Sequence, residues 1–208
     1  SVRFKTKRAS MTENSLPYKP EMTPEGLAAF DFFLKRSKCY LEYGCGGSTI
    51  YAVETINVPS IISVESDKEW VNTVSENICP TARQLRLAHC DIGPTGEWGR
   101  PTDQGQVDKF PNYMAMPWHI ADEHGLTPDL VLVDGRFRVA SFLFSLAASR
   151  DGTIILFDDY GDRDFYHVVE EFAKPNMMYG RMAEFISHSD FNLSKIMAAT
   201  SKYSIIWR

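Results

Sequence analysis

Two short, unbroken aliphatic runs, LVLV at 130–133 and TIILF at 153–157, constrain the fold of this chain most. A strand with one wet face alternates apolar and polar residues, whereas continuous β-branched runs of this length fit strands buried on both faces of a parallel sheet. Between the two runs, Val139, Phe142, Leu143 and Leu146 recur at helical spacing. Upstream, Cys39-Tyr40-Leu41 and Ile61-Ile62-Ser63-Val64 are further buried-strand candidates, and Leu85 and Leu87 alternate with polar residues as a third. Strand–helix alternation of this kind predicts an α/β fold with a doubly wound, mostly parallel sheet.

The helix signals agree. Thr23-Pro24-Glu25 reads as N-cap, first-turn proline and first-turn acid ahead of Leu27, Phe30 and Leu34. Ser66-Asp67-Lys68-Glu69 forms a capping-box pattern ahead of Trp70, Val71, Val74 and Ile78. Phe165, Val168, Val169 and Phe172 predict another helix, stopped by Pro175. Three segments, 183–186, 194–199 and 203–207, are expected to supply terminal strands, including an antiparallel one. Residues 1–22 lack apolar periodicity and read as an N-terminal arm carrying the basic cluster Arg3, Lys5, Lys7 and Arg8; 23–208 reads as one domain. Residues 92–127 read as an insertion, rich in Gly and Pro up to Pro111 and then helical. So long a connection inside a compact domain carries function or covers a site.

Composition narrows the function classes. Of the 208 residues 44% are hydrophobic and 24% charged, as in an ordinary soluble domain, and the formal net charge is −5. That balance argues against general nucleic-acid affinity, which needs a basic face. No apolar run approaches the ~20 residues that span a bilayer, so no membrane association is expected. Cys39, Cys45, Cys79 and Cys90 show no metal-type spacing, and a reduced, cytoplasmic setting is expected.

In open α/β sheets, ligands bind beyond the carboxyl ends of the strands, where strand order reverses. The first predicted strand runs directly into Glu42-Tyr43-Gly44-Cys45-Gly46-Gly47-Ser48-Thr49. Glycines there permit a tight turn and close approach of a ligand to the backbone. Ser48 or Thr49 can cap the next helix. Glu65 ends the second run, about 20 residues after the first glycine, where an acid can accept from both ribose hydroxyls. Asp91 follows the third strand, within reach of an adenine amine.

With LEYGCGGST (41–49), ISVESD (62–67) and HCDI (89–92), the chain resembles the class I S-adenosylmethionine-dependent methyltransferases over roughly residues 38–160. That resemblance implies a Rossmann-like methyltransferase fold. It also implies that Glu42 holds the cofactor's amino end through water or backbone. Gly44 and Gly46 would pass beneath its sugar and methionine portion, and Glu65 would bind the ribose. Gly47, Ser48, Thr49, Ser66, Asp91 and Ile92 complete the implied S-adenosylmethionine site. The family's acid-x-Gly-x-Gly-x-Gly pattern is matched by Glu42, Gly44 and Gly46, with Ser48 at its last position. The rival dinucleotide fingerprint, Gly-x-Gly-x-x-Gly, fails at Thr49.

A second acidic group stands at the ends of the later strands: Asp134 in VLVDGRFR, and Asp158 and Asp159 in ILFDDYG. Three convergent carboxylates need neutralising, by a raised pKa, by cations such as Arg136 and Arg138, or by a metal. Oxygen-only ligands suit Mg²⁺. This arrangement resembles the metal-dependent catechol-type and macrocin-type O-methyltransferases, which implies Asp134, Asp158 and Asp159 as ligands. The macrocin-type families place a catalytic Asp where this chain has Arg136. The base is therefore left open, with His119, His167 and Lys174 as substitutes on offer; Asp134 is a candidate catalytic residue and Arg136 a candidate substrate contact. Trp98, Tyr113 and Trp118 mark a candidate substrate lid, unless they pack the insertion onto the domain.

The resulting expectation is an S-adenosylmethionine-dependent methyltransferase acting on an oxygen of a small-molecule substrate, with Mg²⁺ as a possible second cofactor. A catalytically inactive methyltransferase-like binding protein and an NAD-dependent oxidoreductase are the alternatives.

Overall fold

A computed structural model describes residues 19–79, 82 and 84–207; the basic cluster at residues 3–8 lies outside these. The chain forms strands β1 (Cys39–Tyr43), β2 (Ser60–Glu65), β3 (Leu85–His89), β4 (Leu130–Val133), β5 (Ile154–Phe157), β6 (Met177–Tyr179) and β7 (Met182–Ile186). They make one sheet in the order β3-β2-β1-β4-β5-β7-β6. The first five strands run parallel, and β7 is antiparallel to both β5 and β6.

The unbroken aliphatic runs are explained by what covers the sheet. Along β4, Leu130 and Leu132 face one apolar layer while Val131 and Val133 face the other, and β5 splits Leu156 from Ile155 and Phe157 in the same way. The period of two thus feeds two cores at once. Helices α1 (Pro24–Leu34), α2 (Gly47–Ile50) and α3 (Lys68–Glu76) belong to the first layer. Helices α4 (Pro111–Glu123), α5 (Arg138–Ala148) and α6 (Leu193–Tyr203) belong to the second.

Helix starts follow the sequence with two changes, the first being that Gly46 takes the N-cap position of α2 while Ser48 and Thr49 lie inside that helix. Thr23 caps α1, its Oγ1 accepting from the Gly26 N–H at 3.1 Å. At α3 the cap is Asp67, which accepts from the Glu69 and Trp70 N–H groups, and not Ser66.

The C-terminal third departs further. Residues 183–186 do form a strand, but 194–199 and 203–207 do not: they belong to α6 and the turn that ends it. Asn192 caps α6 by accepting from the Lys195 N–H, and Ile196 is fully buried. The helix expected after β5 is a run of tighter 3₁₀ turns over Asp164–Glu171. Within 92–127, α4 is an integral layer helix packed on β1, β2 and α5, so only the part before Pro111 is a true excursion. Cys39, Cys45 and Cys90 are buried and Cys79 is exposed. Among the described residues no helix is long and apolar enough to cross a membrane.

Candidate functional site

Strand order reverses between β1 and β4, whose registered ends bring the two following turns level. Gly44 takes a left-handed conformation (φ 89°), and a Cβ there would lie 2.8 Å from the Gly135 Cα. A Cβ on Gly135 would in turn collide with the Tyr113 hydroxyl. Bare backbone therefore passes bare backbone at the reversal point, a requirement only glycine meets.

Beneath this turn Glu42 is fully buried. Its carboxylate accepts from the hydroxyls of Tyr40 (2.7 Å), Ser48 (2.8 Å) and Thr49. Burial pushes its pKa up, and those three donors oppose the shift. Ser48 and Thr49 thus face inward, and Thr49 Oγ1 also accepts from the Gly46 N–H at 2.9 Å. The three residues hold the turn in shape from below. From above, the Trp70 indole N–H donates to the Cys45 carbonyl at 2.7 Å. Gly47 is covered by the leading segment, since a Cβ there would run into the Lys19 carbonyl.

Glu65 ends β2 and is 8% exposed. Its Oε1 accepts from the Ser66 and Asp67 N–H groups at 2.6 and 3.0 Å, with Ser66 Oγ at 3.0 Å. Burial raises its pKa against those donors. Among the described residues Oε2 has no hydrogen-bond partner, so one oxygen is fixed and the other is available. Gly99 (φ 66°) closes over this residue, with the Ser66 hydroxyl 2.9 Å from its carbonyl. Its neighbour Trp98 is left-handed as well and 70% exposed.

Asp91 is exposed; its Oδ1 accepts from the Gly93 N–H at 2.9 Å and its Oδ2 pairs with Lys109 at 2.6 Å. The Lys109 ammonium holds its carboxyl below the usual range. Ile92 is buried in the second apolar layer. Tyr113 and Trp118 are buried too and belong to the core, not to a lid. The Trp118 indole donates to the Tyr43 hydroxyl at 2.9 Å, and the Tyr113 ring packs on Phe137. Of the three aromatics, only Trp98 is placed to cover a ligand.

Asp134, Asp158 and Asp159 do converge, with one carboxylate oxygen from each within 4.8 Å of the others. Arginines meet them there. Arg181, from the β6–β7 turn, grips Asp158 through Nε (3.2 Å) and Nη2 (2.9 Å) and also reaches Asp159 at 3.0 Å. Arg163 pairs with Asp159 at 2.7 Å. Arg138 lies between Asp134 (2.8 Å) and Asp159 (3.2 Å). Three carboxylates meet three guanidiniums, so the charge that would attract a divalent ion is already matched. This donor set does not suit Mg²⁺, which would sit against three cations.

Asp134 is the least committed acid: its side chain is 34% exposed, and among the described residues only its Oδ1 is paired. Burial, with Asp158 and Asp159 behind it, pushes its pKa up to about 7 despite the Arg138 guanidinium. The other candidate bases are less suitable. His167 Nε2 lies 3.1 Å from the Tyr160 carbonyl, Lys174 pairs with Glu170, and His119 is exposed on α4.

Sequence reasoning missed Arg163 and Arg181 as partners of the acids, as well as the covers supplied by Trp70, Lys19 and Gly99. No periodicity or motif marks these residues, because sheet closure and loop packing bring them in. Backbone strain was equally invisible. Four described non-glycine residues are left-handed, and three of them, Trp98, Phe137 and Asp159, border this rim. Such strain costs of order 1–3 kcal/mol each and concentrates at functional sites.

Comparison with known proteins finds solved structures similar to this chain. A methyltransferase-like protein from Silicibacter pomeroyi is 32% identical, with a TM-score of 0.80 over 91% of this chain and 99% of its own. An RNA methyltransferase from Salinibacter ruber, solved with S-adenosyl-L-homocysteine, is 14% identical, with a TM-score of 0.45 over 82% and 96%; likeness at that level says nothing about chemistry. No protein-family model and no curated protein matches the chain. The chain belongs to the class I S-adenosylmethionine-dependent methyltransferase family.

Proposed function

We propose that the protein transfers a methyl group from S-adenosylmethionine to an oxygen of a small molecule, with Asp134 as the general base and without a metal ion. The observation that carries this reading is the position and state of Asp134. Its backbone carbonyl carbon lies 3.3 Å from where a Gly44 Cβ would be, beside the glycine turn. A carboxyl with a pKa of about 7 and an unpaired oxygen is matched to proton abstraction near neutral pH.

The residues present fit the cofactor. The free Oε2 of Glu65 accepts a ribose hydroxyl, while its fixed Oε1 keeps the carboxylate oriented. Gly46 leaves the turn without a side chain for the amino-acid portion to pass, while Gly44 admits the backbone of Gly135. Glu42, Ser48 and Thr49 position that turn without touching the ligand. S-adenosylmethionine, when bound, supplies an electrophilic methyl on a sulfonium. Asp134 takes the acceptor's hydroxyl proton on Oδ2 as the oxygen becomes nucleophilic, and Arg138 on Oδ1 stabilises the carboxylate when it is ionised. Trp98 and the Gly99 loop exclude water from the ribose side.

Calorimetric titration with S-adenosylmethionine, with NAD⁺ in parallel, tests the reading. Micromolar affinity for the first alone is expected. No affinity for it overturns the proposal, and affinity without turnover on any hydroxyl acceptor favours an inactive binding protein, the reading that Arg136 at the family's catalytic-acid position supports.

A further inference from the structure

We propose that Arg136 binds an anionic oxygen group, a carboxylate or phosphate, on the methyl acceptor. This rests on the methyl-transfer reading and names the acceptor's chemical class.

Four arginines stand at the rim of this site, and three are committed: Arg138, Arg163 and Arg181 each pair with an aspartate at 2.7–3.2 Å. Among the described residues the Arg136 guanidinium makes no hydrogen bond and no ion pair. Its side chain is only partly exposed; it lies in the field of Arg138, Tyr113, Tyr166 and Glu65, and its own charge acts on Asp134. A guanidinium with five donors, partly shielded from water and unpaired among the described residues, leaves its donors available to a ligand's acceptors.

The loop that presents Arg136 is also fixed on both sides. Its own N–H donates to the Tyr113 hydroxyl at 3.3 Å, and its carbonyl accepts from Ser141 Oγ at 3.3 Å. The next residue, Phe137, is fully buried in a left-handed conformation (φ 52°) between Phe110 and Tyr113. Strain and packing hold the charge in place where a relaxed loop would let it turn to solvent. With the aspartates matched one to one, Arg136 is the uncompensated cation beside Asp134. A guanidinium fork suits a two-oxygen anion, and one held there brings the acceptor's hydroxyl toward Oδ2 of Asp134. The cofactor's own carboxylate shares this chemistry. The acceptor is the better match, because Arg136 follows β4 with the base, whereas the glycine turn that receives the amino-acid end follows β1.

The test uses the full chain and the variants R136Q and R136K, with melting curves confirming that both fold. S-adenosylhomocysteine and 5′-methylthioadenosine, which lacks the amino-acid end, are titrated first. Malonate and inorganic phosphate are then titrated into the nucleoside-saturated protein. The expected result is unchanged nucleoside affinity in R136Q, at least about a tenfold loss of anion affinity, the scale of one charge-assisted hydrogen bond, and partial recovery in R136K. Equal anion affinity in R136Q and wild type overturns the proposal, as does a wild type that binds neither anion. Weakened S-adenosylhomocysteine with unchanged methylthioadenosine also overturns it, by assigning Arg136 to the cofactor's carboxylate. If the wild type binds no nucleoside, the methyl-transfer reading fails. The anion titrations on the free protein then still decide Arg136: loss in R136Q supports the site and retention overturns it.

Discussion

Arg181 holds Asp158 with two nitrogens, Nε at 3.2 Å and Nη2 at 2.9 Å, and so ties the β6–β7 turn to the end of β5. The Asp158 side chain is 2% exposed and that of Arg181 30%. Truncating the arginine leaves a buried carboxylate with less compensation, which costs far more than the pair contributes over an apolar replacement. Arg181→Ala is expected to lose about 3 kcal/mol by urea denaturation, and the double variant Arg181→Met/Asp158→Asn to recover much of it. Additive losses would show that the two residues act independently.

With the same arginines matching its charge, the acid cluster is expected to be indifferent to divalent ions. Mg²⁺ at millimolar concentration is expected to leave the melting temperature unchanged, with or without S-adenosylmethionine. A rise of several degrees that disappears in Asp158→Ala would restore a metal to this site.

Asp134 gives stability a definite pH dependence. Its carboxyl titrates near 3.9 in an unfolded chain and at about 7 in the folded one, where burial raises it. Between those values the native state binds the extra proton, so this group's contribution to stability is full below about pH 4. It declines as pH rises and levels off above about pH 7. Denaturation from pH 4 to 8 should show that decline, to which the buried Glu42 and Glu65 add, and Asp134→Asn should make it shallower. In the intact protein, kcat/KM should rise through the same interval; a flat profile with a carboxyl resonance titrating near pH 4 would remove Asp134 as the base.

Glu65 should be separable from the fold. Glu65→Gln keeps the shape but removes the charge and turns one of the two acceptors into a donor, and is expected to reduce S-adenosylmethionine affinity by roughly 10–100-fold, the scale of one charge-assisted hydrogen bond. Calorimetry alongside a melting curve checks this. Unchanged affinity would place the ribose elsewhere.

The parallel sheet was legible because its strands feed two apolar layers, which is what unbroken runs such as 130–133 mean. Glu65 and Asp134 were legible because each is the first acid after such a run. Helix α6 was misread as strands because it buries Ile196 fully and little else, leaving no apolar stripe across the short windows 194–199 and 203–207. The Asn192 cap was the usable signal. Tyr113 read as a lid aromatic because its Gly/Pro-rich surroundings hid that α4 packs against the sheet. Arg181 could not have been found, since nothing in Tyr179–Met182 states that its turn folds back toward Asp158.

The meeting of Gly44 and Gly135 fixes a length. Under the proposed function, one turn would receive the methyl donor and the other would carry the base, and neither glycine has a Cβ at the crossing to be trimmed or extended. The gap between the reacting partners would then be an invariant of the scaffold, like the jaw setting of a tool. A lineage could exchange Arg136, Trp98 or the whole excursion before Pro111 to accept a new molecule while inheriting that setting unchanged.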